Sequence, residues 1–181
     1  MVVILNRKKV VIISLLAAFL AALLSPLSSI AGPYLAVAPA QLKIKTDAGS
    51  TKPRVADLRL GYEVDAHKFE LAAMSSMKED SLNELVTDIP SVTSLFYRYT
   101  TDPHGSVRFE FILGYSQVDI ESTYVNVPTS TETIEGISYG IGVEEALQSM
   151  PQVKFKVDFI QLYRSDNLSL QLFSVGFRYE F

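Results

Sequence analysis

From Leu58 to Phe181, apolar side chains return at every second position, in stretches of about ten residues parted by polar runs. The last nine residues show this without a break. Phe173, Val175, Phe177, Tyr179 and Phe181 fall on one side of an extended chain, and Ser174, Gly176, Arg178 and Glu180 on the other. Neighbouring side chains of a β-strand point to opposite faces, so each such stretch reads as a strand with one apolar and one polar surface. Val153 to Phe159, Ile137 to Glu144, Val107 to Ser116 and Leu58 to Val64 repeat the pattern. Three less regular stretches, Tyr34 to Lys45, Lys68 to Met74 and Ser94 to Tyr99, bring the number of expected strands to eight. In the last of these Phe96 falls on the polar side.

The links between strands alternate in length, except that the final one, Arg164 to Asn167, is tight where a long one would fall. Those at 65–68, 101–106 and 145–151 are short, and Asp102-Pro103-His104-Gly105 has Pro and Gly where a type I turn takes them. Those at 46–56, 75–91 and 117–136 are long, the last being rich in Ser, Thr and Glu, and they are expected to form hydrated loops. Only Lys78 to Val86 has a spacing that suits a short helical turn. Short turns at one end and long loops at the other, with an even strand count, describe an all-β, eight-stranded antiparallel up-and-down transmembrane β-barrel. Both chain ends then lie on the short-turn side.

Alternation alone does not say which face meets lipid. About eleven Phe and Tyr residues share the apolar face, too many to fill the inside of an eight-stranded barrel, which is only just wide enough for side chains. The small residues Gly61, Gly114, Ser116, Ser138, Gly140, Gly142, Ser174 and Gly176 lie on the polar face. That face also carries charges of both signs: Arg59, Glu63, Glu70, Arg98, Arg108, Glu110, Glu144, Lys154, Lys156, Asp158, Arg178 and Glu180. Set against hydrocarbon, each Arg or Lys near the midplane would cost about 2–4 kcal/mol. Polar side inward and apolar side to lipid is therefore expected, with Tyr34, Tyr62, Tyr99, Tyr163 and Tyr179 at the strand ends suited to interfacial girdles.

The start of the chain is of another kind. Arg7, Lys8 and Lys9 precede an uncharged apolar run from Val10 to Leu24, and Ser29 and Ala31 make a small-x-small site. Residues 1–31 read as a secretory signal peptide cut after Ala31, leaving a barrel domain over 32–181. The apolar run is shorter than the ~20 residues a membrane helix needs. Loss of the three basic residues moves the formal charge from −4 to −7, which leaves no electrostatic case for nucleic acid. The absence of cysteine removes lipid-anchored lipoproteins and disulfide staples from consideration.

The ending Phe173 to Phe181 resembles the last strand of bacterial outer-membrane proteins, and Ser138-Tyr139-Gly140-Ile141-Gly142-Val143-Glu144 resembles the Tyr-Gly-x-Gly-x strand of the OmpA-like, opacity-type β-barrel family. The resemblance implies a porin-like barrel in the outer membrane of a Gram-negative envelope. In that family the terminal Phe is the signal read by the barrel assembly machinery, a role that would fall to Phe181. The first strand, with Pro33, Pro39 and its alanines, is poorer in aromatics than the family pattern, and with the chain stopping at Phe181 no peptidoglycan-binding domain is expected.

Chemistry is scarce. His67 and His104 both fall in expected periplasmic turns, whereas lipid-modifying barrel enzymes work at the outer end, so no catalytic, cofactor or metal residue is assigned. Glu144 and Glu145, as strand neighbours, point to opposite faces and cannot converge. The acidic stretch of Glu79, Asp80 and Glu84 reads as a solvated loop. The leading expectation is a non-enzymatic, monomeric barrel that contacts outer-membrane lipid and serves envelope integrity or surface contact. A narrow channel or a route for small hydrophobic molecules is the alternative, ahead of a lipid-modifying enzyme or a soluble periplasmic ligand-binding barrel.

Overall fold

A computed structural model of the chain describes residues 31–82, 84–124 and 127–181. The expected signal peptide lies outside them, apart from Ala31. Ten strands lie in one antiparallel sheet: β1 Ala31–Thr46, β2 Gly49–Thr51, β3 Arg54–Val64, β4 His67–Lys78, β5 Asp80–Leu82, β6 Leu85–Thr100, β7 Val107–Tyr124, β8 Ser130–Leu147, β9 Met150–Arg164 and β10 Leu168–Glu180. β10 pairs back onto β1, from Tyr34↔Glu180 to Thr46↔Leu168, and closes the barrel. The short β2 runs into β3 past Pro53, which has no N–H to give the ladder. Likewise β5 continues the line of β4 past Glu79. Ten strands therefore follow eight tracks around the wall, the number read from the sequence.

The turns at the end that carries the chain termini are tight. Asp65 and Ala66 join β3 to β4, with Asp65 at a left-handed φ of 53° that Asp tolerates. At the next turn the Gly105 N–H donates to the Asp102 carbonyl at 3.3 Å and to Asp102 Oδ1 at 3.0 Å, as the Pro-Gly spacing predicts. The opposite end differs from expectation. The segment 117–136 is a hairpin, with Gln117↔Glu135 through Ser122↔Ser130 in register. The segment 75–91 is also extended, and where a helical turn was expected at Lys78 to Val86, β5 and β6 pair as Asp80↔Thr87 and Leu82↔Leu85. Thr, Val and Ile are favoured on a pleated, half-buried surface. The expected loops are thus strand extensions that carry the wall beyond the bilayer. Short turns are periplasmic and long excursions extracellular in this architecture, so the β7–β8 hairpin projects outward from the cell.

That extension changes what each face meets. Along the lower part of β7, Phe109, Phe111, Leu113 and Tyr115 point outward and are 49–60% exposed, while Glu110 and Ile112 point inward at 1% and 3%. Beyond Tyr115 the phase reverses: Gln117, Asp119 and Glu121 face out, and Val118 and Ile120 are buried inside. The same reversal occurs on β8, with Ile134 inside and Ile137, Tyr139 and Ile141 outside. It recurs on β10, where Leu170 and Leu172 are inside and Phe173 and Phe177 outside. The apolar outward stretch of β7, Val107 to Tyr115, matches the ~9–11 tilted residues that cross a bilayer core. Above it the barrel behaves as a water-soluble one.

The expectation of a polar lumen therefore holds only for the periplasmic half. The outer half is filled by one apolar cluster that includes Leu42, Ile44, Met74, Ile89, Phe96, Val118, Ile160, Leu162 and Leu172. On β1 it is Leu42 and Ile44 that point inward, with Gln41 and Lys45 outward, because this part of β1 stands in water on its outer side. The outer limit of the apolar band gives a direct test. Leu113→Arg is expected to destabilise the barrel refolded in vesicles by about 2–4 kcal/mol. Gln117→Arg, four residues further out, is expected to stay within about 0.5 kcal/mol. Urea titrations of the two variants measure both.

Candidate functional site: an ion-paired lumen

The inward positions of the periplasmic half carry seven cations and seven anions joined in one set of contacts. Arg98 on β6 stands at its centre and is fully buried. Its Nε donates to Glu70 Oε2 at 2.5 Å, Nη1 to Glu110 Oε2 at 2.8 Å and Asp158 Oδ1 at 2.9 Å, and Nη2 to Asp158 Oδ2 at 2.9 Å. The planar guanidinium suits this use, since its five N–H groups can serve several carboxylates at once. Arg59 lies alongside, with Nη1 at 2.6 Å from Asp158 Oδ2 and its Nε at 2.9–3.0 Å from Asp57. Lys156 Nζ donates to Glu70 at 2.7 Å.

A second group sits nearer the periplasm. Arg178 Nη1 donates to Glu144 at 2.9 Å, and Nη2 reaches Glu63 and Glu180. Lys68 bridges Glu110 and Glu144. Tyr34 does not join an interfacial girdle as expected. It is 1% exposed, its ring lies 3.9 Å from the Arg178 guanidinium, and its hydroxyl donates to Glu70 Oε1 at 2.9 Å. Its even number puts it in phase with Ala36, inside the wall. The ring fits because the facing residue is Gly61, where a Cβ would lie 2.1 Å from the Tyr34 ring.

Every charge assigned to the polar face by sequence enters this network. Asp57, Lys68 and Tyr34 were missed, although Asp57 shares the parity of Arg59 and Lys68 that of Glu70. His67 and His104 lie at the periplasmic end, as expected. The His67 ring is 2.7 Å from the Tyr97 hydroxyl on the outer surface, and His104 is exposed in its turn. Glu144 is buried and Glu145 exposed, on opposite faces. At the extracellular end Asp119 accepts from Ser91 at 2.6 Å and Thr133 at 2.7 Å, and these hydroxyls hold its carboxyl below the ordinary aspartate range.

Chemically the arrangement is a closed plug. The charges balance, each apart from Asp57 has at least two partners of opposite charge, and apolar side chains stop the way out. The void beside Arg59, Asp158 and Gly176 has about 10 Å³, room for a single water.

The profile of the outer membrane protein β-barrel domain family matches residues 13–181. The chain belongs to that family. It is an outer-membrane protein, and the neighbours among solved structures share its barrel. The attachment invasion locus protein Ail of Yersinia pestis superposes with a TM-score of 0.62 at 16% identity, over 83% of this chain and 99% of Ail. Neisserial surface protein A gives 0.64 at 18% identity, over 84% of this chain and all of its own. The N-terminal barrel of Pseudomonas aeruginosa OprF gives 0.55 at 14%, over 82% and 98%. No curated protein sequence matches. At such identities the likeness is one of fold.

Proposed function

We propose that this family member is a non-enzymatic, non-conducting barrel that serves envelope integrity or surface contact, with its working surface on the extracellular strand extensions. The observation that carries the reading is the doubly closed interior, ion-paired below and apolar above. Eight strands leave a lumen that side chains can fill, and a permeant ion would have to displace Arg98 and then cross the layer of Phe96, Val118 and Leu172. The comparison proteins include a surface protein and an attachment invasion locus protein, which supports a role at the cell surface. Planar bilayer recording tests the proposal. Purified barrel is expected to add no steps above the lipid background, and steady single-channel openings would turn the reading toward transport.

Assembly and export belong to the same proposal. The protein leaves the cytoplasm by a signal peptide cut after Ala31, which N-terminal sequencing of the mature protein checks. It works as a monomer in lipid, and Phe181 presents the terminal signal to the barrel assembly machinery. Phe181 follows β10, is 75% exposed and, among the described residues, meets the ring of Tyr179 alone, edge-on. Phe181→Ala is therefore expected to lower the amount of assembled barrel in cells several-fold while leaving the refolded protein's unfolding midpoint in place. Quantitative outer-membrane blots and urea titration separate the two effects.

A further inference from the structure

Within residues 32–181, every cation outside the lumen network lies on one flank of the extracellular end. They are Lys43 and Lys45 on β1, Lys52 between β2 and β3, Arg54 on β3, Lys78 closing β4 and Arg164 closing β9. The other flank, over β6 to β8, carries Asp88, Asp119, Glu121 and Glu135. Scattered surface lysines need no ligand, but these are not scattered. The β1–β2 register, Ile44↔Thr51 and Lys45↔Ser50, continues through the Leu42 N–H bonded to the Pro53 carbonyl at 3.0 Å. It sets Lys43 opposite Lys52 and Arg54 opposite Gln41. Like charges directly across a strand pair repel. Lys43, Lys45, Lys52 and Arg54 are partly or fully exposed, and none takes part in an ion pair among the described residues.

These cations stand where the outward face turns from apolar to polar, since Gln41 pairs with Phe173, the last outward aromatic of β10. That is the level of the outer-leaflet headgroups. Immediately beside them the lipid-facing wall is hollowed by a groove of about 330 Å³, lined by Pro39, Gln41, Arg54, Met77, Phe173 and Val175. Pro39 accounts for the hollow. It gives no N–H to the ladder, the β1–β10 bridges skip from Val37↔Phe177 to Ala40↔Ser174, and its compact ring sits between the projecting Met77 and Phe173.

We propose that this flank holds one phosphorylated lipid of the outer leaflet, its anionic headgroup against Arg54, Lys43 and Lys52 and one acyl chain in the groove over Pro39. Asp80, which accepts from the Lys52 N–H at 2.6 Å, offsets part of this repulsion without forming an ion pair with any of the four side chains, so an anion there still relieves it, and the groove supplies a low-lying apolar track beside it. The proposal rests on the outer-membrane location and is independent of the role proposed above.

Native mass spectrometry of the detergent-solubilised full barrel, titrated with phosphatidylglycerol or with phosphatidylcholine of the same chains, tests it. The protein is expected to retain one phosphatidylglycerol in preference to phosphatidylcholine. A Lys43→Gln/Lys52→Gln/Arg54→Gln variant is expected to lose that retention by about tenfold or more, because headgroup contacts to charged partners are removed. Met77→Trp and Pro39→Trp, which fill the groove with the cations intact, are expected to weaken it as well, while Glu121→Gln on the opposite flank leaves it unchanged. Heat-modifiable gel mobility shows that each variant is folded, and Met77→Trp serves if Pro39→Trp fails to fold. Equal retention by the triple variant, or equal retention of the two lipids, would overturn the proposal. Displacement by soluble inositol hexaphosphate with no effect of either tryptophan would also overturn it, and would make the flank a site for soluble polyanions.

Discussion

Arg98→Ala is expected to lower the stability of the refolded barrel by about 3–5 kcal/mol, the usual result of removing one partner from a buried ionic cluster. Glu70, Glu110 and Asp158 all direct oxygens at this one guanidinium. Without it three carboxylates keep their burial and lose their common donor. Arg59 and Lys156 still reach two of them, and Lys68 the third, which keeps the loss at several kcal/mol and short of complete unfolding. The size of the deficit should depend on what is left unpaired. Removing carboxylates together with the arginine, as in Arg98→Met/Glu70→Gln/Asp158→Asn, is expected to cost less than Arg98→Ala alone. The sum of single effects would then exceed the combined one, as contacts within a single network require. Denaturant titration in one detergent gives all of these values. A loss below about 1 kcal/mol for Arg98→Ala would mean the cluster is solvated and its pairs are worth no more than surface pairs.

The second large effect is expected at the closing seam. A Cβ on Gly176 would lie 2.1 Å from the Val37 carbonyl oxygen and 2.5 Å from the Ala38 Cβ. Both are atoms of β1, one of them backbone, so no rotamer relieves the clash. Gly176→Val is expected to prevent β10 from meeting β1, and the protein should run at its unfolded position on unheated gels. Where some barrel forms, it is expected to lose more than about 3 kcal/mol, in the range of severe overpacking. Ser174→Val, one turn of the pleat away on the same inward face and outside the tight approach, is the comparison and is expected to fold. Normal heat-modifiable mobility for Gly176→Val would place β1 further from β10 than the seam described above.

Much of the wall was legible in the sequence because a bilayer imposes a strict rule on it. Each crossing needs apolar side chains at alternate positions on one side, and β7, β8, β9 and β10 obey it over their membrane stretches. The inward charges were legible for the same reason, since Arg98, Glu110, Asp158 and Arg178 share a parity opposite to that of the aromatics. What was not read is the reversal of phase. In β7 the apolar residues, Ile112 apart, are odd-numbered up to Tyr115 and even-numbered from Val118. In β10 they are even-numbered at Leu170 and Leu172 and odd-numbered from Phe173. A strand that leaves lipid for water must exchange its faces in this way, because the outside turns polar while the inside still has to be packed. Read segment by segment, the polar outer positions looked like loops, and Lys78 to Val86 like a helical turn. Tyr34 was misplaced for a related reason. An aromatic near a strand end suits the girdle, but its parity with Ala36 put it among the buried charges. A change of apolar parity within one extended stretch is the signal that would have marked the boundary.

The central claim is that one continuous wall faces lipid below Tyr115 and water above it, around an interior closed at both levels. Single nitroxide labels at successive outward positions of β7, at 109, 111, 113, 115, 117, 119 and 121, read this most directly in reconstituted bilayers. Collisional broadening by oxygen is expected to dominate from 109 to 115, and broadening by a water-soluble nickel complex from 117 to 121, with labels at the inward positions 112 and 118 shielded from both. Nickel accessibility along the whole outward series would contradict a lipid-facing barrel. Nickel accessibility at 112 or 118 would contradict the closed interior.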